Sequence, residues 1–189
     1  MNKFTFSEKA YFIHEKYQFI LNEEISSVIV KKKTFSLREE INIFINGKKN
    51  TIKNTKNGLS EAKYQGAFGN EEVDITIKSK EININYKGIV FDFIYQEDLI
   101  TGVFIDEKNI GIIRQRSFTK FGLENYFGLV DNSVATRVLL VFLVLFNIRY
   151  AEDNSLMHKY LGFKGLDSRL KCSPELELEL KSLMKEIKN

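Results

Sequence analysis

The residues whose types and spacing could do chemistry are basic, and they form two short groups. One group is the run of consecutive lysines Lys31, Lys32 and Lys33, and the other lies within residues 114–120 and consists of Arg114, Arg116 and Lys120. In a strand the two arginines would share one face, where they could clamp a phosphate together. The lysine run could meet anionic lipid headgroups, at about 1 kcal/mol per lysine near a membrane surface. The alternatives are solvated strand ends, a lysine-protected edge strand or structural ion pairs.

Residues for catalysis or metal binding form no recognisable motif. The chain has a single cysteine, Cys172, and two histidines, His14 and His158, too few for a Cys/His zinc site of four ligands. Neither histidine has a carboxylate or nucleophile at a diagnostic spacing. The glycines of Gly66-Ala67-Phe68-Gly69 are interpreted as turn residues, because they lack the spacing of a phosphate-binding loop. The sequence therefore predicts a non-catalytic protein without metal or cofactor, although catalytic groups can converge only in three dimensions.

Composition favours a β-rich domain, and the single cysteine indicates either a reducing compartment or a fold that needs no disulfides. Of 189 residues, 43% are apolar and 28% charged, and the aromatic residues are 16 Phe and 8 Tyr without Trp. Phe, Tyr, Ile and Val favour strands. A net charge of +3 shows no concentrated basic field of the kind that nucleic-acid binding requires. Residues 1–6 contain no apolar run of signal-peptide length, so we expect a cytoplasmic protein, either free or peripheral to a membrane.

Short β-like segments separated by turn residues fill the chain from about Tyr11 to Leu129. Val73–Lys78 and Ile82–Tyr86 alternate apolar and polar residues, which indicates one buried and one solvated face. Asn46-Gly47 favours a type I′ hairpin turn. The lysines around that turn are predicted to face solvent: Lys48, Lys49, Lys53 and Lys56. About twelve strands are expected, at the spacing of an antiparallel barrel or sandwich.

The pattern changes near Ser133, where residues 134–150 predict a helix. Val138 to Phe146 is uninterrupted apolar, and such a helix must be enclosed by protein or lipid. Because a membrane span needs about 20 apolar residues, we expect a helix buried in the protein core, with a membrane segment or a long buried strand as alternatives. Asp131, Asn132 and Ser133 are candidate N-caps.

The C-terminal region predicts a short helical tail. Ser173-Pro174 is a helix-start signal, and the helix that follows is amphipathic, with Leu178 off its apolar stripe. The stripe comprises Leu176, Leu180, Leu183, Met184 and Ile187. It could dock on the chain's own barrel or bind a partner protein. We therefore divide the chain into a barrel with its central helix, residues 1–152, and a helical appendage, residues 153–189.

Many short strands followed by one wholly apolar helix resemble the tubby C-terminal-like superfamily, which includes tubby proteins, LURP-one-related proteins, phospholipid scramblases and small bacterial relatives. Ile110–Gln115 resembles its Gly-apolar-apolar-Arg strand, Tyr126–Asp131 the following tyrosine-bearing strand, and Val138–Ile148 the helix that threads the barrel. Tyr11–Tyr17 is similar to the opening strand of the bacterial relatives. The resemblance implies a closed twelve-stranded antiparallel barrel filled by the helix.

Two functions follow as expectations. Tubby domains bind phosphoinositides through a basic surface pocket, which cannot be matched here residue by residue, and the cysteine-rich palmitoylated segment of scramblases is missing. The first expectation is a binding module for anionic lipid headgroups, or another anionic ligand, at a membrane surface. The second is a protein–protein interaction module that acts through the C-terminal helix or a barrel rim. No nucleic-acid partner is expected.

Overall fold

The computed structural model describes residues 1–9, 15–33, 39–57, 61–78, 81–96, 100–116 and 125–147. They form twelve strands and one helix. In chain order these are β1 Asn2–Lys9, β2 Glu15–Leu21, β3 Glu24–Lys33, β4 Glu40–Ile45, β5 Lys48–Asn57, β6 Glu61–Phe68, β7 Glu71–Lys78, β8 Glu81–Tyr86, β9 Ile89–Gln96, β10 Ile100–Ile105, β11 Lys108–Arg116, β12 Asn125–Val130 and α1 Thr136–Phe146. The predicted appendage, residues 153–189, lies outside the described residues.

The strands close into one antiparallel barrel. Each strand pairs with its neighbours in the chain, and β1 pairs with β12, so the sheet has no free edge. At this seam Phe4 lies opposite Gly128. A Cβ on Gly128 would lie 2.4 Å from the carbonyl oxygen of Ile112 and 2.8 Å from the Phe4 ring, so closure requires glycine there. The structure confirms the barrel and excludes the sandwich.

Alternation along the strands places the core inside the barrel. On β7 and β8, Ile75 and Ile84 are buried, whereas their neighbours Asp74 and Asn85 are exposed. Partners in an antiparallel pair point to the same side of the sheet, and Ile75 lies opposite Ile84. The same inward rows continue around the barrel, and together they form a single hydrophobic cluster with α1.

The helix α1 lies inside the barrel, as predicted. Every residue from Val138 to Phe146 is buried. The Phe142 ring stacks on Phe93 of β9 with centroids 4.2 Å apart, and the Phe146 ring meets Tyr126 of β12 edge-on at 5.9 Å. Contacts with inward residues on two different strands confirm that the apolar helix is enclosed by protein.

The prediction of the helix start was wrong. The N-cap is Ala135, which makes no side-chain capping bond, rather than Asp131, Asn132 or Ser133. Asp131 uses its Oδ1 to accept a hydrogen bond of 2.8 Å from the backbone N–H of Ser133. This Asx turn precedes the helix, so the polar residues that resemble caps shape the connection from β12 instead.

The two ends of the barrel differ. Five two-residue turns lie at one end, which we call the turn end: Asn22-Glu23, Asn46-Gly47, Gly69-Asn70, Lys87-Gly88 and Asp106-Glu107. Asn46 and Gly47 have φ of 48° and 81°, which confirms the predicted type I′ geometry. At the other end, which we call the opposite end, the connections between strands fall outside the described residues. The helix α1 runs from the turn end to the opposite end.

Two strands were not singled out by the sequence pattern, β1 and β6. Gly66 was interpreted as a turn residue, but it lies within β6. A Cβ there would lie 2.6 Å from the carbonyl oxygen of Thr51, so glycine allows β5 and β6 to approach closely. Gly69 does occupy a turn, with φ of 67°.

We expect Leu143→Asp to prevent folding. Leu143 is 0% exposed on α1, and an unpaired carboxylate in the barrel interior should remove at least about 4 kcal/mol. Thr136→Asp is the control, because Thr136 is exposed in the first turn of α1, where negative charge is favourable. Urea unfolding followed by circular dichroism measures both. A folded Leu143→Asp protein with the parent's midpoint would contradict an enclosed helix.

Candidate functional site

Because side chains and α1 occupy the barrel interior, the outer wall and the two ends remain for function. Outward residues divide the wall into three sectors. We name a basic sector on β3–β6, consisting of Lys31, Lys49, Lys53, Lys56 and Lys63. An acidic sector on β7–β9 consists of Glu72, Asp74, Glu81 and Asp92, although the exposed Lys78 lies opposite Glu81 on the same face. An apolar sector on β9–β12 consists of Ile94, Phe104, Ile112, Phe127 and Leu129.

The basic sector brings together lysines from strands that are distant in sequence. Lys31 on β3 lies opposite Asn42, which in turn lies opposite Thr51 on β5. Lys49 and Lys53 flank Thr51 on the same face. With neighbouring strands about 4.8 Å apart, β3 and β5 are separated by about 10 Å, within reach of two lysine side chains. The predicted solvent exposure of Lys48, Lys49, Lys53 and Lys56 is confirmed.

Two carboxylates in the described part of this sector neutralise some of its charge. Glu61 lies 2.8 Å from the Lys56 ammonium and 3.6 Å from that of Lys63. The hydrogen bond from Lys56 is the main reason that the pKa of Glu61 is lowered. Glu40 lies 3.9 Å from Lys53.

Lys31 and Lys49 complete the sector with exposed ammonium groups. Lys31 places its ammonium 5.1 Å from the centre of the Phe44 ring. Five lysines against Glu40 and Glu61 leave the described sector with a surplus of positive charge.

The two predicted basic groups do not come together. Arg114 is half-buried on the outer face of β11, opposite Ile100 and Phe127, and therefore lies within the apolar sector. In the barrel order β11 is four strands away from β3. Arg114 and Lys31 thus face different directions and cannot share one phosphate.

The remaining predicted residues are placed only by their strand positions or not at all. Lys32 pairs with Ile41, Lys33 with Glu40 and Arg116 with Asn125, all near the opposite end of the barrel. Several predicted site residues lie outside the described residues: Lys120, His14, His158, Cys172, Leu176, Leu180, Leu183, Met184 and Ile187.

A buried polar cluster holds the C-terminus of α1 at the opposite end. The Asn147 side chain donates a hydrogen bond of 2.7 Å from Nδ2 to the Tyr17 hydroxyl. Its Oδ1 accepts one of 3.1 Å from the Tyr126 hydroxyl. Gln115 lies opposite Tyr126, and its buried Oε1 accepts no hydrogen bond within the described residues. This cluster fixes the axial position of α1.

An ion cluster holds the N-terminus of α1 at the turn end. Arg137 donates hydrogen bonds of 2.6 Å to Glu71 Oε2 and 3.2 Å to the carbonyl oxygen of Phe68. Glu71 also pairs with Lys87 and accepts a hydrogen bond from the Tyr86 hydroxyl. The Lys87 hydrogen bond, followed by that of Tyr86, lowers the pKa of Glu71, and Glu71 in turn raises the pKa of Lys87. The cluster ties α1 to β7 and the β8–β9 turn.

The described residues contain neither a metal-binding group nor a membrane-spanning helix. Across these ranges, three His, Cys, Asp or Glu side chains do not come together to hold a metal ion. Within the same part of the chain, no helix has the length and apolar content needed to cross a membrane. Comparison with protein-family models, curated proteins and solved structures finds no match for this chain.

We expect Asn147→Leu to destabilise the barrel. The change leaves the hydroxyls of Tyr17 and Tyr126 without their amide partner, at a cost of about 1–3 kcal/mol. Asn85→Leu on the exposed wall is the control and should change stability by less than about 0.5 kcal/mol. Urea titration gives both values. If the cluster is responsible, Asn147→Leu costs less in a Tyr17→Phe/Tyr126→Phe background, and equal costs in both backgrounds would refute it.

The Glu71 cluster predicts a pH-dependent contribution to stability. Because the folded pKa of Glu71 lies below 4.5, its stabilisation is complete above pH 4.5 and is lost as pH falls through the lowered value. We therefore expect Glu71→Gln to unfold at a lower temperature than the parent at neutral pH, and the deficit to shrink in acid. Glu72→Gln, at the next and exposed position, should show no such convergence. Thermal unfolding between neutral and acidic pH measures this, and a deficit independent of pH would contradict it.

Proposed function

We propose that this protein is a non-catalytic binding module whose basic sector recognises anionic lipid headgroups, or another anionic ligand, at a membrane surface. One observation carries the proposal. The fold places five lysines from β3, β5 and β6 on one outer wall, all of them exposed. Their side chains project from the outer face of the sheet, an arrangement that suits a surface of many headgroups.

Electrostatic attraction determines the expected strength of membrane binding and the orientation of the barrel on the membrane. Each lysine near an anionic surface contributes about 1 kcal/mol, so several are needed for measurable binding. Lysine is a point charge on a flexible stem, which tolerates variable headgroup positions better than a bidentate arginine site does. The neighbouring acidic sector would be repelled by the same surface. The two sectors together would therefore orient the barrel with β3–β6 toward the membrane.

The order of elements supports membership of the tubby C-terminal-like superfamily, which we propose on the resemblance of Ile110–Gln115, Tyr126–Asp131 and Val138–Ile148. The first lies on β11, the second begins in β12 and the third includes most of α1. Their succession, two adjacent strands and then a helix inside the barrel, is what the resemblance implies. A cytoplasmic protein peripheral to the membrane is consistent with this proposal.

The basic sector is tested by co-sedimentation with vesicles of phosphatidylcholine alone or with phosphatidylserine. Lys49→Glu should weaken binding to anionic vesicles at least about fivefold, the equivalent of one lysine's contribution. Lys108→Glu is the matched control, because both lysines are exposed and follow a two-residue turn at the same end of the barrel. It should bind like the parent. Lys31→Glu combined with Lys49→Glu should reduce binding further.

Salt and soluble anions distinguish binding to a lipid surface from binding to a small anion. Raising salt from 0.1 M to 1 M shortens the screening length from about 10 Å to about 3 Å and should abolish binding. Competition by inorganic phosphate at low concentration would assign the sector to a small anion instead of a lipid surface. Equal binding to neutral vesicles, or full binding by the Lys31→Glu/Lys49→Glu protein, would refute the proposal.

The second candidate function, a protein–protein interaction module acting through the C-terminal helix or a barrel rim, is favoured by the apolar sector. Apolar side chains that point away from the core are the expected mark of an interface. What covers this sector decides whether it is available to a partner.

A further inference from the structure

The apolar sector contains side chains that point outward and yet are buried. Its relative exposures are 6% for Ile94, 1% for Phe104, 3% for Ile112, 6% for Phe127 and 0% for Leu129. Strand register places them on the outer face, since Leu129 pairs with Lys3 and with Ile112, while the inward Val130 pairs with Gly111. None of the five belongs to the cluster of inward residues and α1.

Curvature of the sheet does not explain this burial. Several outward residues elsewhere on the same barrel are exposed, as Gln65, Asp74 and Asn85 are, although Asn42 on β4 is buried. The described elements are the barrel wall and the helix inside it, so they leave the outer face of β9–β12 open. The strands and α1 therefore do not by themselves account for the low exposure of the five side chains.

The C-terminal part of the chain has the length to reach this face. The helix α1 ends at Phe146, and Asn147 contacts Tyr17 and Tyr126 at the opposite end, so residues 148–189 continue from there. Residues 148–172 could span at most about 90 Å when extended, whereas a ten-residue strand covers about 33 Å of the wall. Residues 148–172 are thus long enough to run along the outside of the barrel and bring the following segment to any position along strands β9–β12.

The segment 173–189 also has a matching surface. As a helix, its last sixteen residues would be about 24 Å long, and the three strand spacings from β9 to β12 cover about 14 Å. Its apolar stripe repeats at helical spacing through Leu176, Leu180, Leu183, Met184 and Ile187. One helix laid across the four strands would therefore cover the five apolar side chains.

We propose that residues 174–189 form an amphipathic helix that packs its apolar stripe on the apolar sector of the chain's own barrel. Arg114 fits this arrangement, because its stem lies between Ile100 and Phe127 and its guanidinium can reach the border of the sector. The first turns of the segment carry Glu175, Glu177 and Glu179, which supply carboxylates for such a border. The segment is then an integral layer of the folded domain, and the sector is closed to other partners while it is docked.

Thiol labelling tests the docking in the full-length chain with Cys172→Ser. A cysteine introduced by Ile112→Cys should react slowly with a maleimide reagent, and one introduced by Ala67→Cys on the exposed wall of β6 should react fast. Adding Leu180→Asp and Leu183→Asp should raise the Ile112→Cys rate at least about tenfold, because the apolar stripe loses two anchors. Leu178→Asp, off the stripe, is the matched control and should leave the rate low.

Two measurements keep the outcomes distinct. Circular dichroism must show the same barrel in all variants, which separates undocking from unfolding, and a charge-preserving Leu180→Asn/Leu183→Asn variant replaces any protein that fails to fold. An unchanged Ile112→Cys rate in the folded double variant would overturn the proposal. Protection that disappears on dilution, together with a dimer in light scattering, would also overturn it and assign the sector to the segment of a second copy.

Discussion

The structure depends on filling a barrel of twelve strands. Eight strands enclose an interior that side chains alone can fill, and twelve enclose a wider one. The apolar helix α1 occupies that space, with Phe142 stacked on Phe93 and its whole length buried. Both ends of the helix are held, Arg137 by Glu71 and Asn147 by two tyrosine hydroxyls. The helix therefore acts as the central part of the core, and closure of the wall and burial of α1 require each other.

Because the interior is filled, ligands and partners can bind only to the outer surface of the barrel. In a lipid-binding or ligand-binding barrel with an open lumen, the inward residues determine which ligand binds. In this barrel the inward residues pack against α1 instead. Outward positions are thus free to differ from strand to strand, and they divide into the basic, acidic and apolar sectors. The basic sector, for example, combines Lys49, Lys53 and Lys56 along β5 with Lys31 of β3 and Lys63 of β6, which strand register places beside them.

That geometry explains what the sequence could predict. Period-two segments, the Asn46-Gly47 turn and the apolar run Val138–Phe146 are local signals, and each produced the expected element. Asn22-Glu23 and Asp106-Glu107 adopt the same positive φ with glutamate, which rarely signals such a turn, so the barrel overrides local preference there. The basic sector was missed because Lys31 and Lys49 become neighbours only through strand register. The run Lys31–Lys33 is a stronger local signal in the sequence, although alternation assigns neighbouring strand positions to opposite faces.

The sectors also occupy positions that make the two proposals compatible. In a closed ring of twelve strands, β4 and β5 lie across the barrel from β10 and β11. The basic sector and the apolar sector consequently face in opposite directions, with the acidic sector between them on one side. A helix docked on β9–β12 would not obstruct a membrane surface that meets β3–β6, and charge changes on one wall should not alter labelling on the other. Arg114 belongs to the apolar wall by this geometry, so its charge is better suited to holding the C-terminal segment than to meeting a headgroup.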